Sequence, residues 1–144
     1  MNSKKLSGSC LCGSVRYSLV QKPIEIFNCH CNMCRKSNGT AYATWVGVHR
    51  GDLLVQDKQS CLTKYKSSKQ VTRSFCKICG SSLFFDHKKD TLIWMTAGTL
   101  DTDRKDLAPT THIFVSSKAK WHKIDDDLSQ FKEIDEAYIT RYME

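Results

Sequence analysis

Eight cysteines carry the chemistry this 144-residue sequence could perform, and their spacing sorts them into groups. Cys10 and Cys12 form a C-x-C pair, Cys29, Cys31 and Cys34 a C-x-C-x-x-C run, and Cys76 and Cys79 a C-x-x-C pair, while Cys61 stands alone. A tight turn in C-x-x-C brings both sulfurs to one side, and alternate residues of an extended C-x-C share a face, so each group can converge on a metal ion. A soft sulfur set selects Zn²⁺ and excludes Mg²⁺ and Ca²⁺. Disulfides fit poorly, because the two members of C-x-C do not bridge easily to each other. The N-terminal MNSKKLSGSC has basic residues with no apolar stretch behind them. It therefore lacks a secretory signal and predicts a cytoplasmic protein with reduced thiols.

The grouping separates two kinds of site. Cys10 and Cys12 with Cys76 and Cys79 make two pairs far apart in sequence, the pattern of a closed four-thiolate structural zinc site. Cys29, Cys31 and Cys34 offer three thiolates within six residues, and three ligands plus one open position is the pattern of a catalytic zinc. Two zinc ions per chain are expected. Cys61 leaves an alternative open: as a fourth ligand it would close the middle site, whereas a lone cysteine is more commonly a small apolar core residue. His30, between two ligands, would face away from the metal, as a surface histidine or one that supports the ligands from behind.

These groups must be held by elements that the rest of the chain supplies. Ser14 to Leu19 alternates apolar and polar residues as a half-buried strand does, and Ile24 to Asn28 leads into the three-cysteine run. Thr40 to Val48, Leu62 to Lys66, Val71 to Phe75, Ser81 to Phe85, Leu92 to Thr96 and His112 to Val115 are further strands by their β-branched and aromatic content. Asn32 to Asn38 reads as a turn or short helix. Leu128, Phe131, Ile134, Ala137, Tyr138 and Tyr142 recur at helical spacing, so a C-terminal helix is expected, although Asp125 to Asp127 could equally cap a short turn. The fold class is mainly β with short helices, in one zinc-binding domain spanning residues 1–144. No apolar run approaches the ~20 residues of a membrane span. Lys and Arg number 22 against 15 Asp and Glu, a net charge of +7. With seven zinc-bound thiolates and two zinc ions the sum drops to about +4, which lowers the expectation of a nucleic-acid partner.

Three ordered motifs resemble the glutathione-dependent formaldehyde-activating enzyme family: Gly8 to Tyr17 around the first pair, Cys29 to Lys36, and Phe75 to Ser81. Ala97 to Asp101, His112 to Val115 and Trp121 are also similar to that family, so the resemblance runs from about Ser7 to Phe131. It implies the Mss4-like zinc-binding β fold, seen also in centromere protein V. It also matches Cys10, Cys12, Cys76 and Cys79 to the structural ligands and Cys29, Cys31 and Cys34 to the catalytic ones. Cys61 matches no motif position. The implied activity is a carbon–sulfur lyase chemistry: reversible addition of the glutathione thiol to formaldehyde, giving S-hydroxymethylglutathione.

Glutathione carries two carboxylates, and Arg35 and Lys36, directly after the last ligand, are candidate contacts for them, against the alternative of solvated surface charge. Tyr42, Trp45 and Trp94 could wall a pocket or fill the core. His112 could act as acid or base, or be structural, and no general acid or base is assigned. Two other functions stay open on the same scaffold: a non-enzymatic binding protein for a nucleic-acid or protein partner, and a lyase acting on a different thiol adduct. Oligomeric state is not encoded in any of these signals.

Overall fold

The computed structural model describes residues 5–134 and 136–143. Two β-sheets form the framework. A small antiparallel sheet contains β1 (Leu6–Ser9), β2 (Arg16–Leu19) and β5 (Leu53–Gln56), ordered β1-β2-β5. The large sheet contains β3 (Glu25–Cys29), β4 (Ala43–His49), β6 (Leu62–Lys66), β7 (Val71–Cys76), β8 (Ser82–His87), β9 (Leu92–Thr96), β10 (Thr111–Ile113) and β11 (Ser129–Gln130). Its order is β11-β10-β3-β4-β9-β8-β7-β6, antiparallel except that β10 runs parallel to both β3 and β11. Helix α1 (Asn32–Asn38) follows β3, and α2 (Glu136–Tyr142) lies near the C-terminus. The mainly β class with short helices and a C-terminal helix is thus the observed architecture. Among the described residues no helix is long and apolar enough to cross a membrane.

The centre of the large sheet is buried on both faces, and the alternation in β4 shows how. Val46 and Val48 enter one apolar cluster with Tyr17, Leu19, Leu83 and Met95, which joins the small sheet to the large one. Ala43 and Trp45 enter a second cluster on the other face with Cys29, Cys34, Trp94 and Tyr138. Successive strand residues point to opposite faces, so one strand serves both clusters. Gly47 has a packing reason: a Cβ there would sit 2.6 Å from the Trp94 ring, so the bare Cα lets that indole lie against β4.

The structure shortens the expected terminal helix. Among the described residues of that stretch only Glu136–Tyr142 is helical, while Ser129–Gln130 pairs with β10 and Phe131 N–H donates to the His112 carbonyl at 2.9 Å. Leu128, Phe131 and Ile134 precede the helix, and Phe131 and Ile134 pack against the second cluster from non-helical backbone. Asp126 Oδ1 accepts the Leu128 N–H at 3.0 Å, the short capped turn that the triple aspartate allowed.

Candidate functional site

The four-cysteine group is assembled by two turns. Cys10 and Cys12 occupy the β1–β2 turn, and Cys76 and Cys79 the β7–β8 turn. Each turn closes on a glycine in the left-handed region, Gly13 at φ 79° and Gly80 at φ 78°, whose N–H donates to the Cys10 and Cys76 carbonyls respectively. The turns are linked by Leu11 N–H donating to Ser81 Oγ at 2.9 Å. Cys12 Sγ lies 3.6 Å from Cys10 Sγ and 3.7 Å from Cys76 Sγ. A tetrahedral zinc with Zn–S bonds of about 2.3 Å places its sulfurs about 3.8 Å apart, so the spacing fits that ion. Ser14 Oγ and Ser81 Oγ each approach a sulfur to 3.2 Å. The Ser14 contact holds the Cys12 thiol below its usual range, and the Ser81 contact brings Cys79 down to about 5.

The three-cysteine group forms where β3 runs into α1. Cys29 ends β3, Cys31 is the N-cap of α1, and Cys34 lies buried in its first turn. Cys34 N–H donates to Cys31 Sγ at 3.3 Å, fixing the cap, and Gly39 in the left-handed region closes the helix. All three sulfurs lie within 4.8 Å of one another. Without a cation three such thiols cannot ionise together. Hydrogen bonds from Cys29 and Cys34 hold Cys31 far below the usual thiol range, and those same contacts, with burial, push Cys29 up. A divalent ion is the group that lets all three ionise, so this donor set also fits zinc. Cys61 belongs to neither group: it is buried in the first apolar cluster, the small core residue that its isolation suggested.

The three sulfurs face a cavity of about 380 Å³ on the second face of the large sheet. Its walls are mainly apolar, and six of the residues lining it, Phe27, Trp45, Phe85, Trp94, Phe114 and Tyr138, carry aromatic rings. Trp45 and Trp94 are therefore both core and pocket wall. Buried Asp90 also lines it, but its carboxylate is saturated, accepting from Tyr138 Oη at 2.6 Å, Trp94 Nε1 at 2.9 Å and Leu92 N at 2.9 Å. Arg73 differs. Its side chain, on β7, lies 5.0 Å over the Phe85 ring, and its residue is 9% exposed, yet among the described residues Nη1 has no hydrogen-bond partner. Its positive charge also helps lower the Cys31 thiol.

From sequence, Arg73 reads only as one of a basic stretch with Lys64, Lys66 and Lys69, with no part in the sulfur site. The signal available was parity: it shares a β7 face with Val71, which also lines the cavity.

The other sequence candidates lie elsewhere. Arg35 and Lys36 do not line the cavity. Lys36 borders an adjoining groove with Met33, Tyr65, Ser67 and Arg73, and Arg35 donates to Asn32 Oδ1 beside a shallow depression shared with Trp121. Tyr42 packs on His30, with ring centroids 5.0 Å apart. His30 is fully buried, not on the surface, and its Nε2 meets His112 Nδ1 at 2.8 Å; His112 Nε2 reaches Asp126 at 2.9 Å. This chain ties the backbone between Cys29 and Cys31 to β10, behind the sulfurs.

The sequence profile described as "Glutathione-dependent formaldehyde-activating enzyme" matches residues 5–117. The chain belongs to this family. Among its relatives, a Halomonas elongata protein named "Putative glutathione-dependent formaldehyde-activating enzyme" is 30% identical over 127 residues, covering 83% of this chain and 81% of that one. An uncharacterized lyase of Schizosaccharomyces pombe is 27% identical over 78 residues, covering 54% of this chain and 55% of its own length. A Rhodobacter sphaeroides protein of known crystal structure shares the fold at a TM-score of 0.57 and 21% identity, covering 74% of this chain and 98% of that one.

Proposed function

We propose that this member of the family adds the thiol of glutathione to formaldehyde or a related aldehyde, and runs the reverse carbon–sulfur cleavage. The observation that carries the reading is that three thiols, not four, converge on the wall of a cavity large enough for a small molecule. Cys29, Cys31 and Cys34 would hold a zinc whose open position favours the thiolate form of an incoming thiol, and Cys10, Cys12, Cys76 and Cys79 would hold a second zinc that closes the fold. In the addition, sulfur forms a bond to the carbonyl carbon, the carbonyl π pair moves to oxygen, and oxygen takes up the proton that the thiol released. Aromatic walls exclude water from that carbonyl, and the unpartnered Nη1 of Arg73 is a donor for the oxygen as it gains charge. Lys36 in the groove and Arg35 next to it in sequence serve the carboxylates of glutathione, from outside the cavity.

Exchange NMR with ¹³C-formaldehyde and glutathione tests the reading. The zinc-loaded protein should raise the exchange rate between free and thiol-bound formaldehyde, and Cys34→Ser should remove the effect. An unchanged rate with fully zinc-loaded protein overturns it.

A further inference from the structure

Formaldehyde is little larger than water, whose share of liquid volume is about 30 Å³, so it fills roughly a tenth of the cavity beside Cys29, Cys31 and Cys34. Apart from Arg73 Nη1 and the rim residues Ser67, Ser68 and His87, the wall offers little to hold the water that would otherwise fill the rest. Asp90, Tyr138 and Trp94 spend their polar atoms on one another, and the rings of Phe27, Trp45, Phe85 and Phe114 supply carbon. A largely apolar, ring-lined space of this size is built for an apolar occupant.

Glutathione is not that occupant, since its tripeptide carries two carboxylates and two amides, and burying these against carbon is costly. The adjoining groove suits it better. That groove shares Met33, Ser67 and Arg73 with the cavity and adds Lys36, Ser37 and Ser74.

Resting on the thiol-addition reading above, we infer that the aldehyde substrate carries an aromatic or branched aliphatic group, which the cavity receives while glutathione lies along the groove. The product is an S-(1-hydroxyalkyl)glutathione with a bulky apolar substituent. The step balances as it does for formaldehyde: one C–S bond forms, the carbonyl π bond is lost, and the thiol proton ends on oxygen, with no change of redox state.

Stable thioethers test this by binding alone. Isothermal titration of the zinc-loaded protein with S-benzylglutathione and S-methylglutathione should give at least roughly tenfold tighter binding of the benzyl compound, since the ring is removed from water. It should also quench the fluorescence of Trp45 and Trp94, which the methyl compound should leave unchanged. Val71→Phe, which fills the cavity from β7, should bring the affinity ratio close to one. Equal affinities of the wild-type protein for the two compounds overturn the inference and leave the glutathione reading intact. Binding of neither overturns the glutathione reading and the inference with it. The wild-type comparison decides the matter even where Val71→Phe fails to fold.

Discussion

Replacing one ligand in each cysteine group separates their roles, and the magnitudes follow from chain separation. Cys12 and Cys76, whose sulfurs lie 3.7 Å apart, are 64 residues apart in sequence. Treating the metal as a cross-link, closing a loop of that length lowers the entropy of the unfolded chain by an amount equivalent to about 4 kcal/mol. Cys29 and Cys34 are joined by so short a segment that the corresponding contribution is only about 2 kcal/mol. Against a total stability of ~5–15 kcal/mol, the first loss is a large share and the second a modest one. At ~3 °C per kcal/mol for a chain of this size, Cys76→Ser should lower Tm by roughly 12 °C and Cys34→Ser by roughly 6 °C. The assay pairs thermal melts by circular dichroism with zinc content by mass spectrometry: about two ions in the wild type and about one in folded Cys34→Ser. Equal destabilisation by the two variants, or two ions retained by Cys34→Ser, would refute the division into a closing clamp and a substrate-facing site.

Three further outcomes are expected. Arg73→Leu should stay folded in urea melts, since its buried Nη1 lacks a partner among the described residues, yet lower the formaldehyde–glutathione exchange rate roughly tenfold or more by NMR. Asp90→Asn should lower stability by about 2–4 kcal/mol in denaturant titration, because an amide cannot accept from all three of Leu92, Trp94 and Tyr138. Burial raises the Tyr17 hydroxyl from 10.0 to about 12, so the unfolded chain ionises first. Its stabilisation is therefore intact below pH ~10 and should fall by up to about 3 kcal/mol as pH rises through 12, a loss that Tyr17→Phe should abolish in alkaline melts.

Much of this was legible in the sequence because the signals were local. Strands such as β4 and β9 announce themselves by β-branched and aromatic content, and the cysteine spacings mark both sulfur clusters before any fold is known. What escaped was set by partners distant in sequence. β1 reads Leu-Ser-Gly-Ser, poor in strand-forming residues, and is extended because β2 pairs along its whole length. Helical spacing from Leu128 onward misled because Phe131 and Ile134 meet the core from backbone tethered to β10. The cavity and Arg73 stayed hidden for the same reason: its walls come from seven stretches of chain, and no single stretch shows that they surround one space.

The two clusters also differ in when a growing chain can complete them. Cys29, Cys31 and Cys34 leave the ribosome almost together, so this trio can capture a metal ion while most of the protein is still unmade. Cys10 and Cys12 emerge first but wait for Cys79, so the amino-terminal hairpin stays without its clamp even after β5, which pairs beside it, has been made. Synthesis under zinc starvation should therefore harm the protein at its amino-terminal end, where ligands made earliest find their partners last.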